Sequence, residues 1–233
     1  MNTQGKKYRA AAEKRGQQVP VPVRDGFSRI KELAYAKFDE SVDVHINLGI
    51  DTEKTDQGVR GSVVLPHGRG RSVKVIVFAK GDYADQALKA GADEVGLVEL
   101  IEKIEGGWLD FTYAVATPDV MGQVGRLAKI LGPRGLLPNK KVGTVTFDVG
   151  QIVTELRSGK LFFKSDKAGL VHFSVGRVSF SPEQLAENYA AFMKALVGAR
   201  PAAAKGKFIK KITVCSTMGV GVQLLSDDAV GAV

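Results

Sequence analysis

Apolar positions along the chain switch between two periods. Residues 25–38 ("DGFSRIKELAYAKF") place Phe27, Ile30, Leu33, Ala34 and Phe38 three and four apart, which predicts an amphipathic helix with Asp25 as its N-cap. Residues 41–50 ("SVDVHINLGI") alternate Val42, Val44, Ile46, Leu48 and Ile50 with polar positions, which predicts a strand with one wet face. A second strand at 58–65 ("GVRGSVVL") follows the turn-rich segment 51–58 ("DTEKTDQG"), so the two read as a hairpin.

Beyond residue 68 the texture changes. Strand patterns at 72–79, 94–98 and 111–118 alternate with helix patterns at 83–92, 99–107 and 119–131. That order predicts parallel strands with crossover helices, an open α/β layer structure. From residue 160 β-rich texture returns. "KLFFKSD" and "LVHFSVG" are strands joined by the turn "DKAG". Residues 181–196 form a long helix with Pro182 near its start and a stripe of Leu185, Tyr189, Phe192, Met193 and Leu196. Strands at 207–217 and 220–225 follow, and 226–233 read as a frayed end. The economical arrangement is a split α+β domain, residues 1–67 with 160–233, interrupted by an α/β domain at 68–159. Its two chain crossings, near Pro66–Gly70 and at Gly159, are a natural hinge.

Charge sharpens this division. The formal charge is +8, of which +2 falls in 1–67, +1 in 68–159 and +5 in 160–233. The two outer segments together therefore make a basic domain, and excess cations point to nucleic acid before membrane. No apolar run approaches membrane-spanning length, and the basic N-terminus lacks the apolar core of a secretory leader. The single cysteine, Cys215, excludes an internal disulfide and a cysteine-based metal site. His45, His67 and His172 show no metal-ligand spacing, so no metal and no cofactor are expected. Enzyme motifs are missing too. Gly68 and Gly70 precede a strand and lack the third glycine of a dinucleotide fingerprint, and no phosphate-binding G-x-x-x-x-G-K-[ST] or G-x-S-x-G occurs. Asp39, Glu40 and Asp43 cluster at a helix-to-strand junction, where solvated acids are routine. The chain reads as a binding protein, not an enzyme.

The segment "ILGPRGLLPNKKVG" is a stiff loop. Gly132 would end the helix with a positive φ, Pro133 stops it resuming, Gly135 bends the chain again and Pro138 stiffens the exit. It presents Arg134, Lys140 and Lys141, either to a ligand or merely to solvent.

"TPDVMGQVGRLAKILGPRGLLPNKKVGTVT" closely resembles the signature of the ribosomal protein L-one family, the mobile-stalk proteins of the large subunit, in its bacterial type. "YAKFDESVDVHINLGID", "VRGSVVLPHGRGR", "AGADEVG", "GWLDFTYAVATPDVMG" and "CSTMG" extend the resemblance over roughly residues 5–225. The resemblance implies a split first domain that is the principal RNA binder and a Rossmann-like three-layer α/β second domain. It also implies a cytoplasmic, ribosomal protein, monomeric off the ribosome. Its partners would be large-subunit ribosomal RNA, its own messenger RNA, whose translation it represses, and the deacylated tRNA whose release from the exit site it assists. By motif, Lys37, Phe38 and Ser41 would form one strip of the RNA site, and Thr217, Met218 and Gly219 the other, with Asp166 and Lys167 beside them. Arg134, Lys140 and Lys141 would be auxiliary contacts. Periodicity alone would place Phe38 and Met218 in the core; only the resemblance turns them toward RNA. Val220 stands where the family commonly has proline, and Ala168 where threonine is common. The rival reading is a general basic nucleic-acid binder indifferent to RNA structure.

Overall fold

The structure is a computed structural model, and it describes residues 5–52, 57–140, 143–204 and 206–225. In chain order the first elements are α1 (Lys6–Arg15), α2 (Val23–Leu33), β1 (Ser41–Leu48), β2 (Arg60–Val64), β3 (Val75–Phe78), α3 (Asp82–Lys89), β4 (Glu94–Gly96), α4 (Val98–Glu105) and β5 (Tyr113–Ala116). After them come α5 (Met121–Val124), α6 (Ala128–Leu131), α7 (Val149–Arg157), β6 (Lys160–Lys164), β7 (Leu170–Arg177), α8 (Pro182–Gly198), β8 (Ile209–Ser216) and β9 (Val222–Leu224). They fall into two compact units, Met1–Gly70 with Leu161–Val233, and Arg71–Lys160.

In the first unit a four-stranded sheet runs β7-β1-β8-β9, and its pairings are antiparallel. β1 buries Val42, Val44, Ile46 and Leu48 on one face, as its alternation demands. α2 packs against β8 and β9, and α8 against β7 and β2, so the helices cover that apolar face. Phe27, Ile30 and Leu33 are the buried stripe of α2. α8 starts with a capping box, in which the Ser181 hydroxyl accepts from the Gln184 amide and the Gln184 side chain accepts from the Ser181 amide. Its Phe192 stacks on Phe173, ring centroids 4.0 Å apart, and meets Phe163 edge-on at 5.5 Å. Buried Asn188 is fully used. It accepts from the His67 amide and donates to the Val175 and Gly68 carbonyls.

The expected β1–β2 hairpin does not form. β7 and β8 occupy both edges of β1, and β2 pairs with β6 in a separate two-stranded sheet. Likewise β6 and β7 meet only at a bridge between Ser165 and Val171 before entering different sheets. α2 also stops short of its predicted end, because Ala34 turns to an extended backbone (φ −67°, ψ 130°). Asp25 is not a cap but lies in the first turn, where its charge suits the helix dipole.

The second unit is built on a parallel sheet ordered β4-β3-β5, extended beside β5 by a bridge between Ala116 and Val145. All four residues of β3 are buried, as for a central strand covered on both faces. Ile76, Phe78, Leu100, Ile104, Leu127 and Leu131 belong to the core. Residues 118–131 are not one helix but short α5 and α6 alternating with 3-10 turns. α7, absent from the sequence reading, buries Val149, Ile152, Val153 and Leu156. Gly132 keeps a right-handed φ of −58°. The positive φ lies at Gly135, 71°.

Candidate nucleic-acid interface

The polar face of the first unit's sheet ends in a junction of two loops. One joins α2 to β1, the other β8 to β9. The Thr217 amide donates to the Ser41 carbonyl at 3.1 Å, and the Ser41 amide donates to Thr217 Oγ1 at 3.0 Å. Residues 176 apart in sequence are thus locked side by side. Tyr35 adds a second tie, its hydroxyl donating to the Met218 carbonyl at 2.6 Å.

Beneath both loops lies Glu40, only 1% exposed. One carboxylate oxygen accepts from the Ala36 amide at 3.0 Å and the other from the Met218 amide at 2.9 Å. Burial by itself pushes this carboxyl up, but the Met218 amide, the Ser216 hydroxyl and the amides of Ala36 and Tyr35 together outweigh it and hold the group below the usual carboxylate range. Sequence reasoning took Glu40 for a solvated acid, and the structure corrects that to a buried clamp. The same clamp explains the early end of α2: the Ala36 amide leaves the helix ladder for a carboxylate. Asp39 next to it is fixed by Ser179, whose amide and hydroxyl both donate to it, and its carbonyl accepts from Arg177.

Clamping the loops from below leaves their apolar side chains outside. Phe38 is 58% exposed and Met218 52% exposed, which overturns the core placement that periodicity alone gave them. An exposed ring and thioether beside hydroxyls and amides suit the stacking and 2′-hydroxyl contacts by which RNA is recognised. Lys37 shares this loop and is exposed. Gly219 is required for close approach, since a Cβ there would stand 2.2 Å from Ser216 Oγ. Gly219→Ala is expected to cost about 1–3 kcal/mol of stability through overpacking. A Ser216→Ala background should restore much of it, because 3.4 Å then separates the two Cβ atoms. Urea unfolding of the four proteins checks this, and equal losses in both backgrounds would overturn it. Val220, where a proline was the family norm, is buried at 2% and anchors the loop by packing.

Asp166 and Lys167 do not join this junction. β1 pairs Ser41 with Arg177 but Asn47 with Leu170, so the turn before Leu170 lies at the opposite end of the strand, about 20 Å away at 3.3 Å per residue. Asp166 Oδ1 accepts from the Ala168 and Leu170 amides at 2.9 and 2.7 Å. The Leu170 bond, chiefly, holds that carboxyl below its ordinary value. Ala168 uses its backbone here, so the turn does not depend on a side chain at that position. Arg134 and Lys140 belong to the second unit and are exposed on a loop held by partly buried Leu136 and Leu137 and buried Pro138. Lys141 lies outside the described residues, as do Lys205 and the terminal stretch 226–233.

Tyr35 and Glu40 are the site residues that sequence reasoning missed. Tyr35 directly precedes the "AKFDES" motif and Glu40 lies within it, and that placement is their only signal in the sequence. Among the described residues no group of three or more His, Cys, Asp or Glu is placed to hold a metal ion. No helix among them is long and apolar enough to cross a membrane. A family model, the ribosomal protein L1p/L10e family, matches residues 30–220, a span that includes Ser41, Thr217 and Met218 of the junction and the whole second unit. The chain therefore belongs to the ribosomal protein L1p/L10e family, a family of large-subunit ribosomal RNA-binding proteins that are structural rather than catalytic.

Proposed function

We propose that the first unit grips a folded segment of large-subunit ribosomal RNA through Lys37, Phe38, Ser41, Thr217, Met218 and Gly219, with Asp166 and Lys167 at the far end of the same face. The observation that carries this reading is the Ser41–Thr217 lock, flanked by exposed Phe38 and Met218. Bound there, the protein forms the mobile stalk and assists release of deacylated tRNA from the exit site. A messenger RNA presenting the same fold competes for the same surface, so the protein represses its own translation when ribosomal RNA is saturated. Off the ribosome it acts in the cytoplasm as a monomer. Arg134, Lys140 and Lys141 add an auxiliary, screened contact.

The rival, a structure-indifferent basic binder, is disfavoured because the junction offers apolar and hydroxyl groups rather than a run of cations. The test is a competition between the ribosomal RNA stalk fragment and DNA of equal length. It is run on the full chain and on a chain with residues 71–160 replaced by a short linker. We expect the RNA to win by at least a hundredfold in both. Parity between RNA and DNA, or loss of nearly all binding in the shortened but folded chain, would sink the proposal.

A further inference from the structure

We infer that His45 and His172, midway along the uncovered face of the first unit's sheet, form a pair that takes up one proton when an RNA phosphate comes to lie over it. This rests on the RNA-binding reading above. The register places His45 on β1 opposite His172 on β7, with Thr213 on its other side on β8. The two Nδ1 atoms are 2.7 Å apart and the rings meet edge-on, centroids 4.9 Å apart. His45 Nε2 lies 3.2 Å from Cys215 Sγ, and His172 Nε2 lies 3.6 Å from Asp166 Oδ2. The four side chains therefore cross the face in one line, from two residues short of Thr217 to the Asp166 turn.

The protons in this line can be assigned. Burial, then the charges of Asp43 and Glu40, push the Cys215 thiol up, so it stays protonated at neutral pH. Its S–H donates to His45 Nε2, His45 Nδ1–H donates to His172 Nδ1, and His172 Nε2–H faces Asp166. This assignment is the one that leaves no two lone pairs opposed. A further proton fits on His45 Nε2, with the sulfur now accepting, and the line becomes a cation without breaking. A second extra proton would put two N–H groups into the 2.7 Å gap, so the pair takes one and no more. The charged groups facing it are Asp43 on β1, Asp166 on the turn, and Lys211 on β8 opposite Asn47; Ser174 on β7 brings no charge.

RNA that touches both the Thr217 junction and the Asp166 turn must pass over this pair, and a phosphate there favours the protonated form. In the free protein, burial and the neighbouring His172 lower the pKa of His45, against Asp43, so His45 is neutral at pH 7. The complex then holds more protons than its parts. Affinity must rise as pH falls through the bound value and level off below the free one.

The experiment uses the full chain and the ribosomal RNA stalk fragment at fixed ionic strength. Binding at pH 6.0 is expected to be roughly three- to tenfold tighter than at pH 7.5, within the limit of one proton per complex. Calorimetry at pH 6.5 in two buffers of different ionisation enthalpy should count uptake approaching one proton. His172→Gln, at the more exposed ring, and His45→Gln should flatten the pH profile and abolish the uptake. Ring NMR of the wild type should show the pair's titration midpoint moving up when RNA is added, a readout that needs no variant. A flat wild-type profile, an unmoved midpoint, or uptake that survives in both variants would each overturn the inference. If the fragment failed to bind at any pH, the RNA-binding reading would fall first.

Discussion

Glu40→Ala is expected to lower the free energy of unfolding by about 2–4 kcal/mol, because hydrogen bonds to a charged group contribute about 1.5–3 kcal/mol and their loss strands buried partners. The partners here are the Ala36 and Met218 amides, one from each loop of the junction. Glu40→Gln should fall between the two, since its carboxamide can accept at one oxygen but presents an NH2 where the second acceptor was. Acid provides an independent check. The folded-state pKa of Glu40 is lowered, so its contribution is full above the unfolded value of about 4.3 and is lost as pH falls through the folded value. The stability gap between wild type and Glu40→Ala should therefore be widest above pH 5 and shrink in stronger acid. Urea unfolding at several pH values measures it, and a gap near zero at pH 7 would remove the clamp from the account. RNA affinity should fall with it, because unclamped loops must be ordered again on binding.

Met218→Asp is expected to weaken binding of the stalk fragment by roughly 1–3 kcal/mol, about five- to 150-fold, by losing apolar contact and facing phosphate with a carboxylate. Met218 is half exposed, so the fold should be little affected, and circular dichroism can confirm that. Thr217→Ala should fall in the same range, since Thr217 Oγ1 accepts from the Ser41 amide and holds the lock. Arg134→Ala, a screened surface cation on the second unit, should cost at most about 1 kcal/mol. Filter binding at one fixed salt concentration compares the three, and equal losses would move the site away from the junction.

Local patterns were legible in the sequence; long-range pairings were not. The alternation of β1 and the stripe of α8 can be read because each needs only its own few residues. The stripe of α7, Val149, Ile152, Val153 and Leu156, is equally local and equally present in the sequence. The hairpin assigned to β1 and β2 failed for a different reason. Alternation shows that a strand has a wet face but not which strands take its edges, and the neighbours of β1 come from residues 170–177 and 209–216. The apolar spacing carries the helix on to Phe38 because nothing in "AYA" breaks it, and the break comes from a carboxylate bonding the Ala36 amide. Glu40 shows the same limit at the site. A lone acid in sequence is normally solvated, and only the meeting of two distant loops gives it amides to bind. The resemblance singled out Phe38 and Met218, while the partnership of Tyr35 with the Met218 carbonyl has no counterpart in spacing or composition.

The Ser41–Thr217 lock also sets a clock on biosynthesis. Translation proceeds at about 5–20 residues per second, so roughly 9–35 s separate the making of its two halves. Until β8 emerges, β1 lacks the neighbour that binds one of its edges, whereas residues 71–160 form a contiguous stretch that can close much sooner. A nascent chain that has not yet extended through β8 thus lacks one half of the lock.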